Sequence, residues 1–276
     1  MTAAMFDLSG KTALVTGAGA NGGIGHAIAL GYGRAGMRLV IADIDREGLH
    51  RTAEELAALG ADVLALPCDI ASPADVDRLF AAAEEWTGRL DVLVNVPFAF
   101  PRRCLPHETA LDDWQRMLDV NVTGYFLCIR AALPRMLAQR GGVIINIGSN
   151  AGSTALGRGA FAYSCTKSAV HQMTKELAVE YGARGIRSNA ILPAQVRTPG
   201  LEQHLENPRF RDAVLPRILA GLPMGRLLSP EDMVGPALFL ASDAAAAVNG
   251  VLLPVDGGNL AMNAGGSPSG GGEDRG

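Results

Sequence analysis

Short apolar runs rich in β-branched residues recur along the chain, separated by longer segments with helical periodicity. In segments such as REGLHRTAEELAALG (46–60), apolar residues return at i, i+3, i+4 and i+7, which predicts amphipathic helices. Strands that alternate with helices need crossover connections, so we predict an α/β fold: a doubly wound parallel sheet with helices on both faces. The seven predicted strands cover residues 11–16, 38–43, 62–66, 90–95, 142–147, 186–192 and 250–256.

The length and composition fit a single domain. With 276 residues, of which 48% are hydrophobic, the chain can bury one large core, and we place the domain at residues 1–262. Within it, residues 194–229 carry four prolines in a stretch too long for an ordinary connection. This stretch is predicted to be an active-site lid or, as the alternative, a short helical pair packed on the surface. Residues 263–276 are rich in Gly and Ser and are predicted to form a disordered tail.

Charge and cysteine content argue against several classes of function. The net charge is -4 and the 21 arginines form no run, so we expect no nucleic-acid partner. No apolar run approaches the roughly 20 residues needed to cross a bilayer, so we expect no membrane partner and a cytoplasmic location. The four cysteines lie far apart without a CxxC pair or a nearby histidine cluster, which indicates reduced thiols and no metal site.

A glycine-rich stretch, TGAGANGGIGHAIA (16–29), follows the first predicted strand and opens the first helix. Glycines let the backbone approach a pyrophosphate closely, and the N–H groups of a helix N-terminus face the anion. Asp43 ends the second strand, twenty positions beyond Gly23, where its carboxylate can accept hydrogen bonds from an adenosine ribose. This arrangement favours NAD; NADP would need Arg46 to offset the repulsion between Asp43 and a 2′-phosphate. The alternative is a tight turn followed by a solvated aspartate.

Tyr163 and Lys167 lie four positions apart in FAYSCTKSAV (161–170), in a chain with only three lysines. On a helix this spacing puts both side chains on one face. At about 4 Å and an effective dielectric constant of about 20, their attraction is about 4 kcal/mol, or roughly three pKa units on a phenol that titrates at about 10. Tyr163 is therefore predicted to act as a general acid or base near neutral pH, unless it is a surface tyrosine with a chance lysine neighbour.

Two polar residues upstream support a catalytic interpretation of this pair. Ser149 follows the predicted strand 142–147 at its carboxyl end, the edge of an open α/β sheet where ligands bind. Asn121, in LDVNVTGYF, lies inside a predicted helix, where its amide either marks a kink or belongs to a proton path. By itself, Asn121 does not decide between these two roles.

Together these motifs resemble the short-chain dehydrogenase/reductase family, in its shorter, single-domain branch. The resemblance spans about residues 8–258 and includes Thr16 to Gly25, Asp43, Asp69, Asn121, Ser149, the YxxxK pair of Tyr163 and Lys167, and the closing VDGG (255–258). It implies a Rossmann-type fold and a catalytic tetrad. Tyr163 would be the general acid/base, with Lys167 lowering its pKa and holding the nicotinamide ribose. Ser149 would bond the substrate oxygen, and Asn121 would anchor a proton-relay water.

The resemblance also implies which residues bind cofactor and substrate. Asp69 would bond the adenine amine with Ile70 beside it, and the segment LPAQVRTP would grip the nicotinamide carboxamide. The implied cofactor-binding residues are Gly17, Asn21, Gly23, Ile24, Gly25, Asp43, Ile44, Asp69, Ile70, Asn95, Tyr163, Lys167, Pro193, Val196 and Thr198. The implied substrate-binding residues are Ser149, Tyr163, Arg103 and Gln195.

The sequence departs from the family pattern in three places. Two extra residues lengthen the glycine loop after Gly17, so we expect the loop to bulge and Asn21 or Gly22 to take the additional contacts. NVPF (95–98) stands where the family usually has NNAG. Ala194 replaces the glycine of the usual PG turn, which matters only if that position needs a positive φ, and we expect a modest adjustment of the backbone.

The predicted function is an NAD(H)-dependent oxidoreductase that interconverts a secondary alcohol and a ketone. The resemblance favours carbonyl chemistry, because enoyl reductases of the family separate the tyrosine and the lysine by a longer interval than this chain does. One alternative is an NADPH-dependent carbonyl reductase of the 3-oxoacyl type. Another, from a different class, is a non-catalytic dinucleotide-binding protein that senses the redox state of the cofactor.

Residues near the NVPF loop offer clues to the substrate. Arg102 and Arg103 lie on the side of the sheet where the family places substrate, and the arginine fork suits a carboxylate, sulfonate or phosphate. The alternative is that both arginines are simply solvated. Arg158, Gln195 and His204 are further candidates for the pocket, although a lone histidine in a lid is usually a polar surface residue.

The apolar residues of two long predicted helices indicate self-association. The helices at 111–139 and 160–182 carry more apolar positions than one face of a sheet can cover. The resemblance adds that the family commonly pairs these helices in dimers and tetramers. We therefore expect a homotetramer, although periodicity alone would also allow a monomer.

Overall fold

The computed structural model describes residues 3–100 and 102–262. Within them, seven strands form one parallel sheet in the order β3-β2-β1-β4-β5-β6-β7. The strands are β1 (Thr12–Thr16), β2 (Arg38–Asp43), β3 (Val63–Pro67), β4 (Val92–Asn95), β5 (Gly142–Ile147), β6 (Ile186–Pro193) and β7 (Leu252–Val255). Every one lies within two residues of its predicted range. The predicted doubly wound α/β fold is confirmed.

Helices connect these strands and cover the sheet. Ser72 caps α3 by accepting a hydrogen bond from the Asp75 backbone N–H at 3.3 Å, with Pro73 in the first turn. No helix of the described residues is long and apolar enough to cross a membrane. The α-helices are α1 (Ile24–Arg34), α2 (Arg46–Ala58), α3 (Pro73–Thr87), α4 (Leu111–Leu118), α5 (Tyr125–Gln139), α6 (Phe161–Tyr181), α7 (Pro199–Leu205), α8 (Leu215–Ala220) and α9 (Val234–Ala241).

Two hydrophobic cores lie on opposite faces of the sheet. All residues of β1 are buried, and their side chains alternate between the two cores. Ala13 and Val15 belong to the first core, which contains residues of α1 and α9, and Leu14 belongs to the second core. The second core contains residues of α3, α5 and α6. A strand buried on both faces needs apolar residues at every position, which explains the continuous apolar runs in the sequence.

The order of the strands reverses between β1 and β4, which are neighbours although two strands separate them in the chain. In open α/β sheets, ligands bind in the crevice at the carboxyl ends of the strands beside such a reversal. Thr16 ends β1 and Asn95 ends β4, so the glycine-rich stretch and the NVPF segment both emerge into this crevice.

The predicted helix at 111–139 is interrupted. α4 ends at Leu118, and a wider π-helical turn at Asp119–Gly124 precedes α5. Such turns are rare and often occur at functional sites. The turn contains Asn121, so the amide that looked out of place in a helical pattern lies where the helix geometry changes.

The segment 194–229 contains α7, α8 and a π-helical turn at Phe210–Val214. Its two ends meet in a parallel bridge between Val196 and Leu228, where Arg197 N–H donates to the Leu228 carbonyl at 2.7 Å. Ala194 does not have a positive φ, so alanine at this position requires no strain. The predicted tail at 263–276 lies outside the described residues.

Candidate active site

The glycine loop between β1 and α1 forms a cradle of main-chain atoms. Gly17 and Gly22 have φ angles of 73° and 75°, a region that favours glycine. A Cβ atom at Gly25 would collide with the Gly17 carbonyl, so the helix can approach the strand only because this residue is glycine. No side chain caps α1 at Gly23, which leaves its first N–H groups free to bind an anion.

We expect Gly25→Ala to lower the free energy of unfolding by about 3 kcal/mol, because the added methyl group overpacks a rigid main-chain contact. Gly235→Ala in the exposed part of α9 is the matched control, since a Cβ there has nothing within 4 Å. The control should be neutral or stabilise the protein by up to about 1 kcal/mol. Urea unfolding of both variants measures the difference, and equal stabilities would contradict the proposed close packing.

Asp43 is directly attached to this cradle. Its Oδ2 accepts a hydrogen bond from Gly19 N–H at 2.8 Å, and its Oδ1 accepts one from Asp45 N–H at 2.9 Å. A Cβ at Gly19 would lie 2.8 Å from the Asp43 Cβ. The carboxylate is therefore fixed beside the loop and half-buried at the end of β2, the position from which it can accept ribose hydroxyls.

The side chain of Asn21 is turned towards α2. Its Oδ1 accepts a hydrogen bond from Arg51 Nε at 2.9 Å, and its Nδ2 donates to Thr52 Oγ1 at 3.3 Å. These bonds occupy the amide, so in this structure the lengthened loop offers mainly the main chain of Asn21 and Gly22 to a phosphate.

Other residues implied in cofactor binding also lie at the carboxyl edge of the sheet. Asp69 and Ile70 follow β3, and Pro193 ends β6. Pro199 lies 3.7 Å from the position of a Cβ at Gly22, so the segment with Val196 and Thr198 meets the glycine loop. Ile44 is 67% exposed beside Asp43 and is available to an adenine ring.

Asn95 differs from these residues because its side chain is fully buried. Its Nδ2 donates to Asn146 Oδ1 at 3.0 Å, whereas its Oδ1 has no hydrogen-bond partner among the described residues. The side chain therefore lies in the core on the face of the sheet that α6 covers, and only the main chain of Asn95 can line the crevice.

Tyr163 and Lys167 share one face of α6, as their spacing predicts. The Lys167 Nζ lies 5.9 Å from the centre of the Tyr163 ring and 5.3 Å from that of Tyr125. It donates to the Ile147 carbonyl at 2.8 Å. Ser149 stands just beyond the carboxyl end of β5 and is close enough to the Tyr163 phenol to lower its pKa. The structure thus brings these three predicted catalytic residues together.

Asn121 links this group to the NVPF segment. Its Oδ1 accepts a hydrogen bond from Ala99 N–H at 2.6 Å, and its Nδ2 donates to the Ala99 carbonyl and to Thr166 Oγ1, both at 3.0 Å. Because these bonds occupy the amide, the side chain acts as a clamp between the loop and α6.

The pKa of the Tyr163 phenol differs from the electrostatic expectation. In the protein chain alone, burial raises it above its ordinary value, and the hydrogen bond with Ser149 and the charge of Arg103 offset this only in part. Burial also lowers the pKa of Lys167 to about 7. The prediction from spacing was wrong for this state because it included the attraction between the two groups but not the cost of removing both from water.

Aromatic side chains that the sequence analysis did not identify as functional cover the phenol. Phe100 stacks on Tyr163 with ring centres 5.0 Å apart and planes at 21°. Phe98 meets the same ring edge-on at 6.2 Å. Residues 95–100, the NVPF segment and the two residues after it, therefore supply an apolar wall next to Tyr163. No periodic signal marks such a wall, because it depends on the path of a loop.

His171 is a second residue that the sequence analysis missed. It lies 4% exposed behind Ser149, whose N–H approaches its Nε2 at 3.5 Å, and Ser153 Oγ lies 3.4 Å from its Nδ1. Burial, with smaller effects from nearby lysines, lowers its pKa to about 4, so it is neutral at pH 7. Tyr163, Lys167 and His171 follow each other at intervals of four, a repeat that could have revealed it.

Asp256 of the VDGG motif supports the same loop from the other side. Its carboxylate accepts hydrogen bonds from the Gly258 and Leu260 N–H groups and from Asn150 Nδ2 at 2.8 to 3.0 Å. Asn150 follows Ser149 directly, so the end of the sheet at β7 is tied to the position of the serine.

The candidate substrate residues lie in different surroundings. Arg102 forms an ion pair with Asp113 at 3.1 Å, whereas the guanidinium of Arg103 lies over the Phe100 ring at 5.0 Å. The Gln195 carbonyl accepts a hydrogen bond from Leu228 N–H and closes the base of the long segment. His204 stacks on Phe210 within that segment at 5.5 Å.

Comparison with known proteins agrees with this geometry. A family model described as enoyl-(acyl carrier protein) reductase matches residues 17–259. The chain belongs to the short-chain dehydrogenase/reductase family. It is 39% identical over 253 residues to D-threitol dehydrogenase of Mycolicibacterium smegmatis. The aligned region covers 92% of this chain and 94% of that protein.

Two further relatives are similar over nearly their whole length. The rhamnolipids biosynthesis 3-oxoacyl-[acyl-carrier-protein] reductase of Pseudomonas aeruginosa is 38% identical, with 92% of this chain and 97% of that protein covered. The crystal structure of a candidate NAD(P)-dependent gluconate 5-dehydrogenase from Beutenbergia cavernae, with bound NADP, has a TM-score of 0.86 and 39% identity. It covers 94% of this short-chain dehydrogenase/reductase and 100% of its own chain.

The family membership establishes the general activity. The protein is an oxidoreductase that uses a nicotinamide dinucleotide and interconverts a secondary alcohol and a ketone.

Proposed function

We propose that this enzyme is NAD(H)-dependent and uses Tyr163 as its general acid/base. The observation that carries the proposal is the meeting of two groups at one sheet edge: the glycine cradle with Asp43, and the cluster of Ser149, Tyr163 and Lys167. The first group fits a dinucleotide without a 2′-phosphate, and the second fits proton transfer to a carbonyl oxygen.

The chain's own residues divide the catalytic work. When bound, the nicotinamide supplies or accepts the hydride. Ser149 holds the substrate oxygen by a hydrogen bond, and Tyr163 donates a proton to that oxygen during reduction or removes it during oxidation. Burial favours the protonated phenol, which is the form that a ketone reduction requires. Asn121 holds the loop after β4 against α6, because its amide hydrogen-bonds to both Ala99 and Thr166.

Lys167 is proposed to act on both the nicotinamide ribose and the phenol of Tyr163. Its Nζ lies between the Tyr125 and Tyr163 rings, where it can hold the nicotinamide ribose. Hydroxyl oxygens of a bound ribose would accept hydrogen bonds from the ammonium and offset the desolvation that now lowers its pKa. A protonated Lys167 would then favour the phenolate of Tyr163.

We expect Asp43→Asn to change the cofactor preference. The substitution keeps the size of the side chain and one acceptor but removes the charge, so repulsion of a 2′-phosphate falls by about 1 to 4 kcal/mol. The Kd for NADPH should fall by about tenfold or more, and the Kd for NADH should rise. Fluorescence titration of both cofactors, together with initial rates of NADH and NADPH formation, measures the change.

Asp62→Asn is the control for this experiment. Asp62 precedes β3 at the opposite edge of the sheet and pairs with Arg38 at 2.8 Å. It should leave both dissociation constants unchanged. A wild-type enzyme that already binds NADPH more tightly than NADH would contradict the proposed NAD preference.

One observation favours the NADPH-dependent alternative. Arg51 lies against the glycine loop through its bond to Asn21, and the similar structure from Beutenbergia cavernae contains NADP. Arg51, with Arg46, could then face a 2′-phosphate. In that case Asp43→Asn would alter the affinity for NADPH little, because the arginines already offset the carboxylate.

The assembly, lid and location are further parts of the proposal. We propose a homotetramer because α5 and α6 carry large exposed apolar side chains, among them Phe126, Phe161 and Val179. Sedimentation velocity would give its mass. Residues 194–229 are proposed as a lid, and the four free cysteines support a cytoplasmic, reducing location.

A further inference from the structure

Two arginines lie on neighbouring loops, and one of them, Arg103, lies near Tyr163 across the Phe100 ring. The loop with Arg103 and the turn with Arg158 are joined by a hydrogen bond from Cys104 N–H to the Gly159 carbonyl at 3.2 Å. Gly159 has a φ of 72°, and a Cβ there would lie 2.6 Å from Cys104 N. Glycine at this position is therefore what permits the two loops to touch.

Side-chain contacts fix Arg103 in relation to the phenol. Its guanidinium lies 5.0 Å from the centre of the Phe100 ring, and Phe100 stacks on Tyr163 at the same spacing. Its Nη1 donates to the Arg158 carbonyl at 3.3 Å. A cation held by stacking on an aromatic ring keeps most of its N–H donors available.

Neither arginine has an acidic partner in the part of the chain that the structure describes. Within residues 3–100 and 102–262, no Asp or Glu oxygen lies within 4.0 Å of Arg103 or Arg158. Arg102, the immediate neighbour, does have one, because it pairs with Asp113. Desolvation and the charge of Arg158 both lower the pKa of Arg103, so the two cations destabilise each other.

Both side chains are exposed, so a solute can reach them. An anion between two such guanidinium groups relieves their repulsion and accepts charge-assisted hydrogen bonds from both forks. Phe100 contacts both Arg103 and Tyr163, and the charge of Arg103 acts on the phenol, so Arg103 lies near the reacting oxygen.

We propose that Arg103 and Arg158 bind a carboxylate of the substrate, so that the enzyme acts on hydroxy acids and keto acids. This inference rests on the proposed function, because it assigns the second polar end of a substrate whose carbonyl lies at Tyr163. The centre of the Phe100 ring lies 5.0 Å from both the Arg103 guanidinium and the centre of the Tyr163 ring, so the substrate spans one aromatic ring between its carboxylate and its reacting carbon.

Methyl ketones with and without a charge test the proposal. Acetoacetate and levulinate are compared with their methyl esters as substrates for reduction by wild type, Arg103→Ala, Arg158→Ala and the control Arg102→Ala. We expect wild type to prefer at least one acid over its ester by about tenfold or more in kcat/KM, as for a hydrogen bond to a charged group. Both test variants should lose this preference through a higher KM, whereas Arg102→Ala should keep it.

The experiment gives different results if the carboxylate site is wrong and if the proposed oxidoreductase activity is wrong. If wild type reduces esters and acids equally well, or if Arg103→Ala keeps the preference, the carboxylate site is wrong and the oxidoreductase remains. If no ketone is reduced, calorimetric titration of acetoacetate and of levulinate into the wild-type enzyme with NAD still decides. Binding that Arg103→Ala abolishes would support the site, and absence of binding by both acids would overturn it.

Discussion

Replacing Tyr163 by phenylalanine is expected to lower kcat by about a hundredfold to ten-thousandfold, the contribution typical of a positioned general acid or base. The phenylalanine ring retains the stacking on Phe100, so the wall of the pocket stays intact while the transferable proton is lost. Steady-state rates of ketone reduction measure the effect, and NADH titration should show a Kd close to that of wild type.

Tyr181→Phe is the matched control for this substitution. It lies at the last position of the same helix, next to Arg184 rather than the catalytic cluster. Its kcat should equal that of wild type. A Tyr163→Phe variant with full turnover would remove the phenol from the mechanism, and a dinucleotide sensor without catalysis would show no turnover in any variant.

Lys167→Met is expected to lower kcat by at least about a hundredfold and to change how stability depends on pH. The side chain is 2% exposed, and burial lowers its pKa to about 7. Between about pH 7 and pH 10, the unfolded chain binds a proton at this lysine that the folded chain does not bind. The free energy of unfolding of wild type should therefore fall as the pH falls through this range.

The difference in the free energy of unfolding between wild type and Lys167→Met, followed over pH, reports the titration of Lys167 alone. Other buried groups, such as the thiols of Cys68 and Cys128 with raised pKa values, titrate equally in both. Relative to Lys167→Met, wild type should lose up to about 1.4 kcal/mol per pH unit on going from pH 10 to pH 7. Urea unfolding without added nucleotide measures this, and parallel pH curves would show that Lys167 is charged in the fold. The Ile147 carbonyl keeps a donor in the variant, since the Tyr125 hydroxyl also donates to it.

The architecture could be predicted from the sequence because its signals are local. Strands buried on both faces require continuous apolar runs, and the covering helices require a repeat near four, so the alternation fixed the class of fold and the strand limits. The π-helical turn around Asn121 was not predicted. Periodicity registers apolar positions but not the hydrogen bonds by which Asn121 holds Ala99, a residue 22 positions away.

The candidate site could be predicted in its composition but not in its energetics. The intervals that place Tyr163 and Lys167 on one face are visible in the sequence, whereas their pKa values depend on burial by Phe100, Tyr125 and the end of β5. Desolvation is the largest cause of both shifts. It depends on neighbours brought together by tertiary structure, so spacing could reveal the attraction between the two groups and not the opposing cost.

The bridge between Val196 and Leu228 has a consequence for how enzymes of this design diversify. Because the two ends of this segment meet just beyond the carboxyl end of β6, the residues between them can change in length or content while β6 and β7 stay in place. The two bridge residues are therefore natural splice points. Exchange of the proposed lid at these two points is expected to alter the substrate preference while Ser149, Tyr163 and Lys167 stay in place.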